Sequence, residues 1–174
     1  MEAALAGAER TRVDRATQDF DEWVASRGPR LLRLAYVLTG NRSDAEDVVQ
    51  EALSRALPRW SRIAGLDDPD AYVRRMVVNA HTSGWRKFRR RESPVSEPQL
   101  TATVDGPDVA EHDLLWRACL RLPADHRTAV VLRFYEQLEY AEMAELTGVR
   151  EGTLRSRVSR GVAALRSELG EIDD

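Results

Sequence analysis

Cysteine and lysine are almost missing from this chain, and long apolar runs are missing altogether. The one thiol, Cys119, excludes an intramolecular disulfide and any cysteine-built metal site. Its surroundings, LLWRACLRL, are those of a buried thiol that packs as a small hydrophobe, not of a nucleophile. No stretch approaches the roughly 18 apolar residues that cross a bilayer. The start, MEAALAGAERTRVDRATQ, lacks the basic residues and apolar run of a signal peptide. A soluble cytoplasmic protein with no membrane insertion is expected. Lys87 is the one lysine among 26 basic residues, a bias in keeping with a GC-rich genome. Catalytic signatures are absent too: there is no P-loop, no GxSxG and no acid pair beside a plausible pocket. His81, His112 and His126 are scattered without metal-ligand spacing, so neither an enzyme nor a metal or cofactor site is expected.

What is present is helix-forming sequence with sharply segregated charge. The chain has 174 residues, 43% hydrophobic and 32% charged, with a net charge of -3. That is room for one ordinary domain or two small ones. Residues 71 to 91 hold seven basic residues and no acidic one, whereas residues 92 to 113 hold six acidic residues and no basic one. Such a layout speaks about partners.

Residues 17 to 39 predict one or two helices, with Leu31, Leu34, Ala35 and Leu38 at helical spacing and Gly40–Asn41 as the stop. Ser43 and Glu46 in SDAE read as a capping box opening a helix that runs to about Leu57, where Pro58 stops it. Val49, Leu53, Ala56 and Leu57 share one face of that helix; Asp47, Gln50, Glu51 and Ser54 share another. Asp68 and Pro69 fit the cap and first turn of a third helix, which runs into SGWRKFRRR. Residues 93–110 carry three prolines, a glycine and small polar residues, the composition of a linker. The fold expected is all-α: two small helical domains, 17–92 and 111–170, joined by a flexible acidic linker. Residues 1–16 read as a disordered tail and 171–174 as an acidic one.

Two segments carry chemistry. YAEMAELTGVREGTLRSRVSRGVAALRSEL fits a helix-turn-helix, with Ala144 as the small residue at the crossing and Gly148 as the tight turn. Leu154, Val158 and Leu165 face inward there, while Thr153, Arg157 and Arg160 point outward with Ser156 beside them. Arg150, Arg155 and Arg166 add to the basic surface, which suits phosphates and base edges. The run WRKFRRR sets Arg86, Lys87, Arg89 and Arg90 around Trp85 and Phe88, a pattern for opened or single-stranded nucleic acid. His81, beside Asn79, has two open readings: a nucleic-acid contact or a partly buried histidine. The acidic face around Asp47 reads, taken alone, as a solvated surface.

SDAEDVVQEALSRAL, DAYVRRMVVNAHTSGWRKFRRR and the segment from LPADHRTAV to GVAALR, in that order and spacing over residues 18 to 169, resemble an extracytoplasmic-function sigma factor of the sigma-70 superfamily. The resemblance implies a bacterial cytoplasmic protein, monomeric when free, that directs core RNA polymerase to promoters and helps open them. Asp47, Gln50 and Glu51 then fall where the family meets the polymerase clamp helices. The flap region is the second polymerase contact. Asn79, flanked by Arg74 and Arg75 of DAYVRR and by Trp85 to Arg90, falls near the minus-ten reader. Arg150, Thr153, Arg155, Ser156, Arg157 and Arg160 fall on the minus-thirty-five recognition helix. An anti-sigma factor is a further partner class. The sequence departs from the commonest pattern at SGW, where many relatives have tyrosine-leucine. The competing reading is a stand-alone helix-turn-helix regulator whose first half is a sensor or dimerisation module.

Overall fold

Pro69 has no amide hydrogen to leave unpaired, and Asp68 ahead of it accepts the amide of Ala71 at 2.8 Å. Boundaries of this local kind divide the computed structural model into helices. It describes residues 2–91 and 114–170, with side chains described for 18–84 and 114–170. The predicted linker 93–110, the acidic tail 171–174 and the side chains of Trp85, Arg86, Lys87, Arg89 and Arg90 lie outside the described residues. All regular structure among the described residues is helical: α1 (Glu2–Thr39), α2 (Arg42–Ala56), a 3-10 turn (Leu57–Arg59), α3 (Trp60–Ile63), α4 (Pro69–Arg91), α5 (Leu114–Arg121), α6 (Ala124–Val130), a π turn (Val131–Tyr135), α7 (Tyr140–Thr147) and α8 (Glu151–Gly170).

Two boundaries differ from the sequence expectation. The backbone of residues 2–16, expected as a tail, continues α1 as helix, in keeping with its alanine, glutamate and arginine content. Helix α2 is capped by Asn41 instead of Ser43. Asn41 has extended backbone, and its side-chain oxygen accepts the amide of Asp44 at 2.8 Å. That starts the helix two residues before a cap at Ser43 would. Glu46 pairs with Arg42 at 2.7 Å.

The first three long helices share one core. Leu34, Val37 and Leu38 of α1, Ala45 and Ala52 of α2, and Val73 and Val77 of α4 are all buried. Each such leucine or valine contributes about 1.5–3 kcal/mol on burial. Trp60 of α3 closes one end, with the Phe20 ring 5.1 Å away edge-on and the Trp23 ring at 5.0 Å. Trp23 Nε1 donates to Asp70 at 2.9 Å and Arg27 pairs with the same carboxylate at 2.8 Å, which ties α1 to the start of α4.

The second group of helices is organised by the helix-turn-helix. Gln137 adopts a φ of 55°, reversing the chain between the π turn and α7. Glu139 and Glu142 form a capping box at the start of α7. Gly148 ends α7 in the left-handed conformation, φ 71°, as the turn required. Leu154, Val158 and Leu165 of α8 are buried. The tightest fit on α8 is at Gly161, where an added Cβ would lie 2.6 Å from Val130 Cγ2 of α6. Ala144, half-buried, packs against the same core. Cys119 is buried.

The two groups also touch one another: α5 and α6 pack on α1, and α7 packs on α4. Arg127 of α6 is the buried pivot, 1% exposed. Its Nη1 donates to Leu120 O and Leu122 O, within its own group. Its Nη2 lies 2.8 Å from where a Cβ on Gly40 would stand, at the C-terminal end of α1. Gly40 itself has φ 80° and its amide donates to Tyr36 O at 2.7 Å. His81 of α4 shares this neighbourhood. Desolvation, with Arg127 adding to it, lowers the His81 pKa from 6.5 to about 4.

Two outcomes follow from this packing. A methyl group at Gly161 must displace a buried, β-branched valine, so Gly161→Ala should destabilise the protein by about 1–3 kcal/mol despite the better helix propensity of alanine; urea unfolding measures this. His81 is neutral in the folded protein, whereas the unfolded histidine takes up a proton below its ordinary value. Stability should therefore fall by about 2 kcal/mol from neutral pH to about pH 5. His81→Gln should remove that part of the slope, and an unaltered slope in denaturant titrations would mean His81 does not carry it.

Candidate protein and nucleic-acid interfaces

Burial on α2 follows every third or fourth residue: Ala45, Val49, Ala52 and Ala56 point inward. With that face committed, Asp47, Gln50 and Glu51 are left on the solvent side, and all three are exposed. Glu51 pairs with Arg55 one turn later, at 2.5 Å. The surface is therefore a rigid, mildly acidic helix face on a capped scaffold, fit to meet a basic protein surface.

Along α4 the pattern is more crowded. Val73, Val77, Val78 and Ala80 are buried. Asn79 is exposed and Arg75, one turn before it, is half-buried. Arg74 is also half-buried, and its Nε lies 3.3 Å from Glu136, which sits at the end of the π turn in the other helical group. Thr82 is buried, its hydroxyl donating to Val78 O at 3.0 Å. Of the two readings of His81, the structure supports the partly buried one.

Arg150, just ahead of α8, and Thr153, Arg155 and Arg160 on it are exposed, and Ser156 is half-buried. Arg157 departs from the expected outward face. Its side chain is 15% exposed and forms an ion pair with Asp125 of α6. Position 157 lies only three residues past Leu154 and one before Val158, so it flanks the buried stripe, and Asp125 captures it there. Arg155 is exposed but not loose: it pairs with Glu151 at 3.2 Å, and its guanidinium lies 4.3 Å from the centre of the Tyr140 ring. Arg133 reaches the same ring at 5.2 Å. Tyr140 thus holds two arginines at the start of the helix-turn-helix. The sequence analysis did not single out Tyr140, Arg133 or Asp125. Tyr140 is the first residue of α7, at a helix end where an aromatic residue has little periodicity to mark it.

The described residues hold no group of histidine, cysteine and carboxylate side chains placed for a metal ion, and no helix among them is long and apolar enough to cross a membrane. What the geometry offers is an acidic face on α2 and, well separated in sequence, arginines on a helix whose tilt is fixed by Gly148. By charge and exposure the first suits a basic protein surface and the second suits phosphates.

Comparison with known proteins agrees with this geometry. Residues 23–92 match the family model for Sigma-70 region 2, and residues 112–165 match that for Sigma-70, region 4. The RNA polymerase sigma-E factor of Streptomyces avermitilis is 36% identical over 156 residues, covering 89% of this chain and 87% of that protein. The ECF RNA polymerase sigma factor SigE of Mycolicibacterium smegmatis is 33% identical, covering 90% of this chain and 63% of the relative. Among solved structures, the sigma factor RpoE of Bartonella quintana, crystallised with the anti-sigma factor NepR, superposes with a TM-score of 0.53 at 26% identity, covering 88% of this chain and 98% of that one. Two modules in the family's order, over nearly the whole chain, make it a member of the extracytoplasmic-function group of sigma-70 family RNA polymerase sigma factors.

Proposed function

We propose that this sigma factor binds core RNA polymerase through α2, opens the minus-ten element with α4 and reads the minus-thirty-five element with α8. The observation that supports the division most directly is the opposite charge of two exposed helix faces, Asp47–Gln50–Glu51 on α2 and Thr153–Arg155–Arg160 on α8, with Arg150 just ahead of it. On this reading residues 17–92 and 111–170 are the two working modules and 93–110 their linker. The chain carries no reaction of its own and acts in the cytoplasm. The likeness to an RpoE held by NepR makes an anti-sigma factor a natural partner class. A stand-alone regulator is disfavoured, because its first half has no reason to match region 2 over residues 23–92. Run-off transcription with core polymerase decides the matter: promoter-dependent initiation supports the sigma role, and tight footprints without polymerase support the regulator.

The arginines of α8 divide by their surroundings. Arg160 is exposed and suited to a bidentate contact with guanine, whereas Arg157 is engaged by Asp125. Arg155 is oriented by Glu151 and Tyr140, which suits it to a phosphate held at a fixed distance. Asn79, exposed on α4 one turn after Arg75, is the group placed to hydrogen-bond an unpaired base.

Charge reversal of both Asp47 and Glu51 should weaken binding to core polymerase while changing stability by no more than about 0.5 kcal/mol, because neither is buried. Wild-type affinity in a competition assay against the unmodified protein would show that the clamp surface lies elsewhere. Arg160→Ala should cost about 1–3 kcal/mol of promoter affinity and relax preference at one base pair. Arg157→Ala should instead cost about 1–3 kcal/mol of folding stability, since it leaves Asp125 without its partner. Selection over randomised upstream elements, alongside thermal melts of both variants, separates the two roles.

A further inference from the structure

A glycine inside a helix calls for a reason, because alanine would hold the helix better. Gly161 of α8 has one in its crossing with α6, and Gly170 has another as the last residue of the helix. Gly152, in the first turn of α8, has neither. Among the described residues an added Cβ there would meet nothing within 4 Å. Its backbone does not ask for glycine either, since the positive-φ glycines are Gly40 and Gly148. Neither packing nor conformation within the chain therefore accounts for the missing side chain. Gly84 of α4, the other helix assigned to DNA, is bare in the same way.

We propose that Gly152 is a DNA-contact residue of α8, kept without a Cβ so that the first turn of the helix seats directly against the wall of the major groove. The inference rests on the reading of α8 as the minus-thirty-five reader. Leu154, Val158, Gly161 and Leu165 fix the inward side of the helix, and exposed Gly152, two residues before Leu154, lies on the side turned away. Arg155 and Ser156 follow one turn later on that same side. Arg155 draws the carboxylate of Glu151, the acidic neighbour of Gly152, onto its guanidinium at 3.2 Å, which lessens the repulsion a phosphate would meet there. Duplex DNA suits this surface better than an apolar protein partner does: the exposed charged side chains around it are mainly arginines, and none of the described exposed large apolar side chains lies on α8. A hydrogen bond to a base edge or a phosphate tolerates little lengthening, so the reach of Arg155 and Arg160 depends on how deep the helix sits. A side chain at position 152 would hold the helix off and draw both arginines back with it. Gly152 sets the depth at which the arginines read.

The test uses the full chain assembled with core polymerase, and a duplex bearing an upstream element selected from a randomised pool by the wild-type protein. Gly152→Ala, Gly152→Leu and the control Gly170→Ala are compared by thermal melts, by fluorescence anisotropy on that duplex and by competition for core polymerase. Alanine and leucine are both better helix formers than glycine, so the melting temperature should stay level or rise, by about 2–4 °C at most. Affinity for the duplex should nonetheless fall about tenfold with alanine, as expected for one methyl group wedged into a fitted contact, and further with leucine. Gly170→Ala should bind DNA as the wild type does, and core affinity should be unchanged throughout. Wild-type DNA affinity in both position-152 variants overturns the contact. A lowered melting temperature in Gly152→Ala also overturns it, because the glycine would then serve the fold. Loss of core affinity in place of DNA affinity moves the contact to polymerase and overturns it too. Arg160→Ala on the same pool separates this inference from the reading beneath it. Relaxed base preference there, with wild-type binding by the position-152 variants, refutes the role of Gly152 alone; no change in any of them refutes α8 as the reader.

Discussion

A buried guanidinium sets the terms for this molecule. Arg127 brings a full positive charge to a place 1% exposed, satisfies only part of it on Leu120 and Leu122, and rests the remainder against the end of α1. Desolvating an arginine is costly; the carbonyls, the helix pole and electrostatic interactions with Cys119 and Tyr36 work against that cost. Gly40 permits the approach: a Cβ there would lie inside the guanidinium's van der Waals contact. The same glycine supplies the positive φ that ends α1. One residue therefore stops a helix and admits a charge from another module. His81 follows as a consequence, since a cation close by and little water hold it neutral.

Elsewhere the charges are kept apart. Burial of alanine and valine on α2 pushes Asp47, Gln50 and Glu51 outward, and burial of Leu154, Val158 and Leu165 on α8 does the same for Arg155 and Arg160. The periodicity that builds each core thereby also selects the sign of each surface. Family membership explains why opposite signs coexist in a chain of net charge -3: a sigma factor faces polymerase and DNA at once.

Local chemistry made much of this legible in the amino-acid sequence. Asp68–Pro69 starts α4 and Gly148 ends α7 because cap and turn geometry need those residue types. Hydrophobic spacing located the inward face of α8 and, through Val49 and Ala56, that of α2, although Leu57, expected on the same face, is exposed past the end of the helix; motif order located the modules that the family models match at 23–92 and 112–165. Competition between neighbours was harder to read. Asn41 and Ser43 are both good caps, and only the extended backbone at Asn41 decides between them. Arg157 sits on the border of the buried stripe, and its direction depends on Asp125, far away in sequence. Arg127 in PADHRTAV resembles any solvated helix arginine. Its burial, like the pairing of Arg74 with Glu136, is created by tertiary contact between modules, for which no local pattern exists.

The left-handed turn at Gly148 and the tight crossing at buried Gly161 fix the angle of α8 through two glycines that carry no side chain. Its exposed residues, Thr153, Arg155 and Arg160, take almost no part in that support. Scaffold and vocabulary are thus separable over most of one helix. Descendants of this gene are at liberty to exchange these exposed side chains, and with them whatever the helix presents to a partner, without relearning how to fold. Arg157 is where that liberty stops, because there one side chain serves the scaffold from the edge of the exposed face.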